Sequence, residues 1–261
     1  MSTLFKNTYS NIRGIFGLSF QIAKAEFKLR NEGSYLGILW YLLNPILTFL
    51  LLYLIFADRL GDTIPRYPLY LLLGIIIFNF FQSTTLEATR SIIEVHNHLI
   101  KSINFRRESL ILAIVVKNLF SHIFEIALFF LILIFFHGNP VGIFYYLPIL
   151  LFFLLFTFGS ALILSSLTVF FVDLDNIWNF AVRLIWFGTP IFYSIQNQTK
   201  LFYLNLANPV YYFITLARDT VIYHKIPEWW IMGGAVGFSF LTFALGYWVF
   251  HVLNKKMAEL I

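Results

Sequence analysis

Few residues in this chain are of a type and spacing that could do chemistry. His96 and His98 stand two apart, which on a helix turns them to different faces, unlike metal ligands at i and i+4. Asp173 and Asp175 form a carboxylate pair, but they mark the end of an apolar run, where a solvated turn with helix capping explains them better than acid–base work. Arg183 differs because it lies within an apolar segment, and an intramembrane arginine is a functional-site candidate by default. Its structural alternative is a pair with Asp173, Asp175 or Glu125. Lys117 and Glu125 are eight residues apart, too far for a direct helical pair; both either snorkel or face a bundle interior. There is no GxxxxGK[ST] phosphate loop, HExxH helix, GxSxG elbow or GxGxxG turn, so no catalytic residue and no metal site are assigned. With no cysteine, the chain offers no disulfide, thiolate ligand or redox nucleophile.

Two further patterns suggest binding. Residues 87–108 carry Arg90, Lys101, Arg106 and Arg107 between segments long enough to cross a bilayer, which places this basic connection in the cytoplasm. Within it Ile92, Ile93, His96, Leu99, Ile100 and Ile103 recur at helical spacing, predicting a short amphipathic helix. An apolar stripe flanked by basic residues suits a partner's groove, whereas a plain connector needs no stripe. The second pattern is aromatic. Thirty-two Phe, fourteen Tyr and six Trp exceed what two interfacial belts need. Flat rings can support sugar rings through their apolar C–H edges, although Phe is also an ordinary lipid-facing residue. Tyr35, Trp40 and Tyr41 on one apolar segment, with Trp186, Phe187, Phe192 and Tyr193 on another, would offer rings at successive depths.

The elements that must position these residues are membrane helices. Of 261 residues, 59% are hydrophobic and 12% charged, and the mean hydropathy is +0.79, which describes one integral membrane domain. The net charge of +5 comes from short basic blocks beside apolar spans, a pattern of headgroup contact and topology rather than nucleic-acid binding. No cleavable leader is read before the first long span. A basic amphipathic helix is predicted over 12–32 along the inner headgroup layer. Crossings follow at about 36–57, 69–86, 110–136, 147–172, 177–193 and 229–253, with a kink at Pro45 and a break near Gly188, Thr189 and Pro190. Residues 197–227 hold Asn205, Asn208, Pro209, Arg218 and Asp219 and predict outer re-entrant helices. Gly159, Ser160, Ala161, Ser165 and Ser166, and Gly233 with Gly237, are small residues suited to close helix packing. Lys and Arg fall mostly on the proposed inner side, which places both termini in the cytoplasm.

Four stretches carry a resemblance over nearly the whole chain: SYLGILWYLLNP from Ser34, HLIKSINFRRE from His98, TPIFY from Thr189 and NPVYYFITLARD from Asn208. The sequence resembles the membrane subunit of an ABC exporter of the polysaccharide type, the ABC-2 family that moves O-antigen, capsule or teichoic-acid polymers. Arg106 stands where that family usually has proline, and Val172 precedes Asp173 where it commonly has arginine. The resemblance implies six crossings, a coupling helix between the second and third, and re-entrant helices before the sixth. It further implies a homodimer with two copies of a separate ATP-binding subunit. ATP and Mg would bind in that partner, and no cofactor in this chain. On this reading Asn97, His98, Leu99, Ile100, Lys101, Phe105, Arg106 and Arg107 meet the ATPase, and a lipid-linked glycan leaves the cytoplasm across the plasma membrane, the inner membrane of a Gram-negative cell. Two alternatives stay open at this point: a permease of the same architecture for a drug, peptide or lipid, and an intramembrane enzyme acting on lipid-linked sugars.

Overall fold

The computed structural model describes residues 2–31, 37, 39–98, 107–171, 173–195 and 198–260, with the side chains of 2–13, 15, 30–31, 92–98 and 255–260 left aside. The described residues form helices α1 (Ser2–Asn31), α2 (Leu39–Leu60), α3 (Tyr67–His98), α4 (Arg107–Phe135), α5 (Gly142–Thr168), α6 (Leu174–Gly188), α7 (Thr199–Leu206), α8 (Pro209–Ala217) and α9 (Trp229–Leu260). A π-helix, Arg218–Ile222, continues α8.

α3 is the hub because it is apolar around most of its circumference, and such a helix is stable only when largely enclosed. Of its spanning stretch 78% is buried, against 11% for α2 and 17% for α9. Its flank from Leu69 to Phe81 joins Phe129, Phe153, Phe156 and Phe213 in one core. Contacts fix the directions of the other helices. α4 runs against α3, since Glu87 meets Lys117 and Phe80 meets His122. α6 also runs against α3: Asp175 at its start accepts from Thr89 and Arg90, and the chain just beyond its end meets Tyr70. α5 and α9 run side by side in the same direction, with Phe152 beside Phe240 and Phe158 beside Phe243.

Among the described residues five helices are long and apolar enough to cross a membrane, namely α2, α3, α4, α5 and α9. The expected crossing at 177–193 is shorter as a helix: α6 has 15 residues, about 22 Å. Pro190 is the cause, because it has no N–H to extend the ladder and drives Thr189 to extended backbone, with ψ of 137°. The segment nevertheless reaches from the level of Thr89 to that of Tyr70 on α3, nineteen residues or about 28 Å.

Other boundaries also move. No separate helix forms over 87–98; these residues prolong α3, which contains no Gly or Pro there and is tied outward by Glu87 and Arg90. Leu99, Ile100, Lys101, Phe105 and Arg106 lie outside the described residues, as does Tyr35. α1 starts ten residues earlier than expected and lies alongside the opening turns of α4. Ser19 donates to the Ser109 carbonyl at 2.9 Å, and Glu26 meets Lys117 at 2.8 Å.

Close packing of α5 on α9 depends on glycines. A β-carbon on Gly159 would lie 2.6 Å from the backbone of Thr242 and Phe243, and one on Gly246 would lie 2.3 Å from the Gly159 carbonyl oxygen. Gly233 and Gly237, despite their spacing, face open space in this chain. Gly159→Leu should therefore cost about 1–3 kcal/mol by forcing the helices apart, read as a lower thermal midpoint in detergent. Gly237→Ala should leave the midpoint unchanged or raise it slightly, since alanine is the better helix former, and an equal loss in the two variants would refute the packing assignment.

Candidate functional site

A groove runs along α2, α3, α4 and α6. Its wider part, about 460 Å³, is lined by Gly37, Trp40, Tyr41, Asn44, Asn79, Gln82, Ser83, Leu86, Asn118, Ser121 and Glu125. A second part, about 280 Å³, adds Thr48, Val182, Arg183, Trp186 and Phe187 and shares Asn44, Asn79 and Gln82, so the two are one space. Beyond Phe187, Phe192 stacks on Phe56 at 5.1 Å and meets Tyr193 edge-on at 5.1 Å. The result is a strip of rings and mostly neutral polar groups along one seam, with the charged side chains Glu125 and Arg183 also on it. Asn118 donates to Glu87, whereas the amides of Asn44, Asn79 and Gln82 make no hydrogen bond among the described residues and face the groove.

A buried charge cluster supports the inner half. The Lys117 ammonium, 5% exposed as a residue, touches the carboxylates of Glu87 on α3 and Glu26 on α1. A cation at this depth persists because two carboxylates surround it. One turn and a half further along α4, His122 lies between Glu125, at 3.6 Å, and the Tyr146 hydroxyl, at 2.7 Å.

The outer half depends on hydrogen bonds to the backbone that α6 leaves open. The Tyr193 hydroxyl donates to the carbonyls of Phe187 and Gly188, and Asn205 also donates to Gly188. Arg218 donates to Pro190 at 2.6 Å and to Ile191 at 2.8 Å, while Tyr67 and Tyr70 take Phe192 and Tyr193. Non-helical backbone at membrane depth is stable only when satisfied in this way. Arg218 is 3% exposed, donates twice to the Tyr70 carbonyl and lies 3.3 Å over the Tyr70 ring. Gly74 makes room for it, since a β-carbon there would fall 2.5 Å from the guanidinium. Asn208 caps α8 through Val210 N and donates to the Thr189 hydroxyl, so TPIFY and NPVYYFITLARD form one construction.

Trp40 and Tyr41 therefore reach the groove, as do Trp186 and Phe187, with Phe192 and Tyr193 beyond them. Trp186 is also packed edge-on against Phe78 in the core. Arg183 lines the groove and pairs with none of the expected carboxylates: Asp175 is held by Thr89 and Arg90, and Glu125 faces His122. Asp173 precedes α6 without a side-chain cap. Asn97 and His98 close α3, and Arg107 opens α4 while donating to the Asn254 side chain at 3.1 Å. Sequence reasoning missed Asn44, Thr48, Asn79, Gln82, Ser83, Asn118 and Ser121. A signal was present, because each set recurs at i, i+3 or i+4 on one face of an otherwise apolar helix.

The profile of the ABC-2 type transporter family matches residues 18–222, which spans every helix of the groove. The chain belongs to this family. This ABC-2 chain is 27% identical over 216 residues to the O-antigen export system permease protein RfbA of Myxococcus xanthus, covering 81% of this chain and 83% of that one. Two proteins of the same name from Klebsiella pneumoniae are 25% and 27% identical, each covering 96% of the ABC-2 chain and 97% of their own length. As a member of this family with five long apolar helices among the described residues, it is a multi-pass membrane protein of a transport system.

Proposed function

We propose that this chain is the permease subunit of an ATP-driven exporter that moves a lipid-linked polysaccharide out of the cytoplasm. The observation that carries the reading is the continuous groove of rings and neutral amides along α2, α3 and α6. Such a wall suits a hydroxyl-rich polymer that must slide, whereas a drug or lipid would favour aliphatic lining. The relatives' O-antigen names support the same substrate class. The subunit works as a homodimer, with α2 and α6 at the seam, and with two copies of a separate ATP-binding subunit that holds ATP and Mg. Segment 174–193 is the fifth of six crossings, because its depth along α3 nearly matches a hydrocarbon core of about 30 Å. Both termini then lie in the cytoplasm, and the complex sits in the plasma membrane, the inner membrane of a Gram-negative cell. Residues 97–107 couple ATP hydrolysis to rigid-body movement of the helices.

The test is a triple variant, Trp40→Leu with Phe187→Leu and Phe192→Leu, which keeps apolar volume and removes flat faces. Tyr193 is left alone because its hydroxyl closes α6. Three stacking contacts of about 0.5–1.5 kcal/mol each predict a fall in surface glycan of about ten-fold or more. The ATPase should still copurify at the wild-type level. Undiminished glycan at the surface would count against a ring path and favour a permease for an aliphatic substrate.

A further inference from the structure

A second cavity, separate from the groove, lies at the opposite flank of the molecule, where α5, α8, the π-helix and α9 meet. It measures about 590 Å³, in the range of small-ligand sites. Its floor is Phe213, Leu216 and Ala235, all buried, and its lip is Val141, Tyr145 and Met232, all exposed. The neighbouring Ile226 and Trp229 are 95% and 84% exposed, so the lip continues into an apolar rim. At one end the slot adjoins a pocket of about 570 Å³ lined by Thr63, Arg66, Ser194, Asp219, Tyr223, His224 and Lys225. His224 and Lys225 line both.

An apolar slot open at its side and joined to a basic pocket matches an amphiphile with a negative head. We infer that this end of the chain binds one anionic phospholipid, its acyl chain between α5 and α9 and its phosphate against Lys225, His224 and Arg66. One Arg66 nitrogen donates to the Ile222 carbonyl at 2.9 Å, leaving other N–H groups of the fork for a phosphate. Among the described residues Asp219 is the carboxylate that lines the pocket, with Glu228 near enough to act on it. Burial pushes Asp219 up from the ordinary carboxylate range, with Lys225 acting in the opposite sense. Burial likewise pushes the Tyr223 phenol up to about 12, and its hydroxyl donates to the Pro65 carbonyl, holding the pocket's two sides together. This site is independent of the export reading: a chain that moved no glycan would still bind the lipid.

The test uses the permease purified with its ATPase in detergent carrying small, equal amounts of phosphatidylglycerol and phosphatidylcholine, with bound lipid counted by native mass spectrometry. The wild type should hold one phosphatidylglycerol per permease chain in preference to phosphatidylcholine. Lys225→Glu should lower phosphatidylglycerol occupancy about ten-fold or more and spare phosphatidylcholine. Ala235→Phe should fill the slot and remove both; if it fails to assemble, Val236→Phe at the partly exposed edge of the slot serves the same purpose. Unchanged phosphatidylglycerol in Lys225→Glu, or in the slot-filling variant that assembles, overturns the proposal. A cysteine at Ile226, in a chain that has none, adds a further arm. Efficient crosslinking between two copies there would mean that a second subunit covers the lip, and would overturn it equally.

Discussion

Arg218→Met should remove most of the chain from the membrane fraction, and what remains should unfold at a much lower temperature. The guanidinium satisfies the carbonyls of Pro190 and Ile191, which Pro190 itself excludes from any helical ladder. The Ile191 carbonyl would be left open at about 1–3 kcal/mol, whereas the Pro190 carbonyl keeps the Tyr70 hydroxyl at 3.2 Å, and the emptied volume beside Gly74 and the Tyr70 ring adds a cavity cost. A total near 3 kcal/mol or more is expected. Arg218→Lys should rescue little, because a single ammonium cannot span Tyr70 on α3 and the 190–191 segment as the planar fork does. A wild-type thermal midpoint in Arg218→Met would show that Arg218 is dispensable to the outer fold.

The second large effect is expected at Lys117. Lys117→Met leaves Glu26 and Glu87 facing each other across α4 without their cation. Removing one partner of a buried ion pair costs about 3–5 kcal/mol, and because both carboxylates are about a third exposed the expected loss is nearer 2–3 kcal/mol. The diagnostic result is rescue. Adding Glu26→Gln and Glu87→Gln to Lys117→Met should restore much of the lost stability, since no unpaired charge then remains. If the triple variant is as unstable as Lys117→Met alone, the cost lies in lost packing rather than uncompensated charge, and the electrostatic account fails.

Both predictions concern residues whose roles differ from those their positions in the chain imply. By spacing alone Lys117 and Glu125 are too far apart to pair with each other and either snorkel or face a bundle interior. The structure instead gives Lys117 partners on two other helices and gives Glu125 to His122. Arg218 counts as an outer-side charge by topology, yet it is buried and bound to four carbonyl contacts. Arg183, the arginine that spacing singles out, keeps its place on the groove without the carboxylate partner that proximity in sequence suggested.

By itself the sequence determined the solvent and the order of elements. Long apolar runs ended by charges locate α2 and α4 to within three residues and the start of α9, because hydrocarbon excludes charge, while α5 begins five residues earlier and α9 ends seven residues later than the apolar runs alone suggest. Proline at 190 determined the break after α6, and the four stretches of likeness determined the family. Only the tertiary structure decided which helix faces meet. Asn44 sits on α2 and Asn79 with Gln82 on α3, and helical spacing puts Asn79 and Gln82 on one face but does not give the rotation that turns that face and Asn44 into one groove. It also decided that Gly159 and Gly246 make the close contact rather than Gly233 and Gly237, which have the motif spacing and no neighbour within this chain. The physical reason is common to both: in a membrane the hydrophobic effect drives insertion of each helix but does not choose among apolar faces. That choice is left to packing and to buried polar contacts between residues distant in sequence.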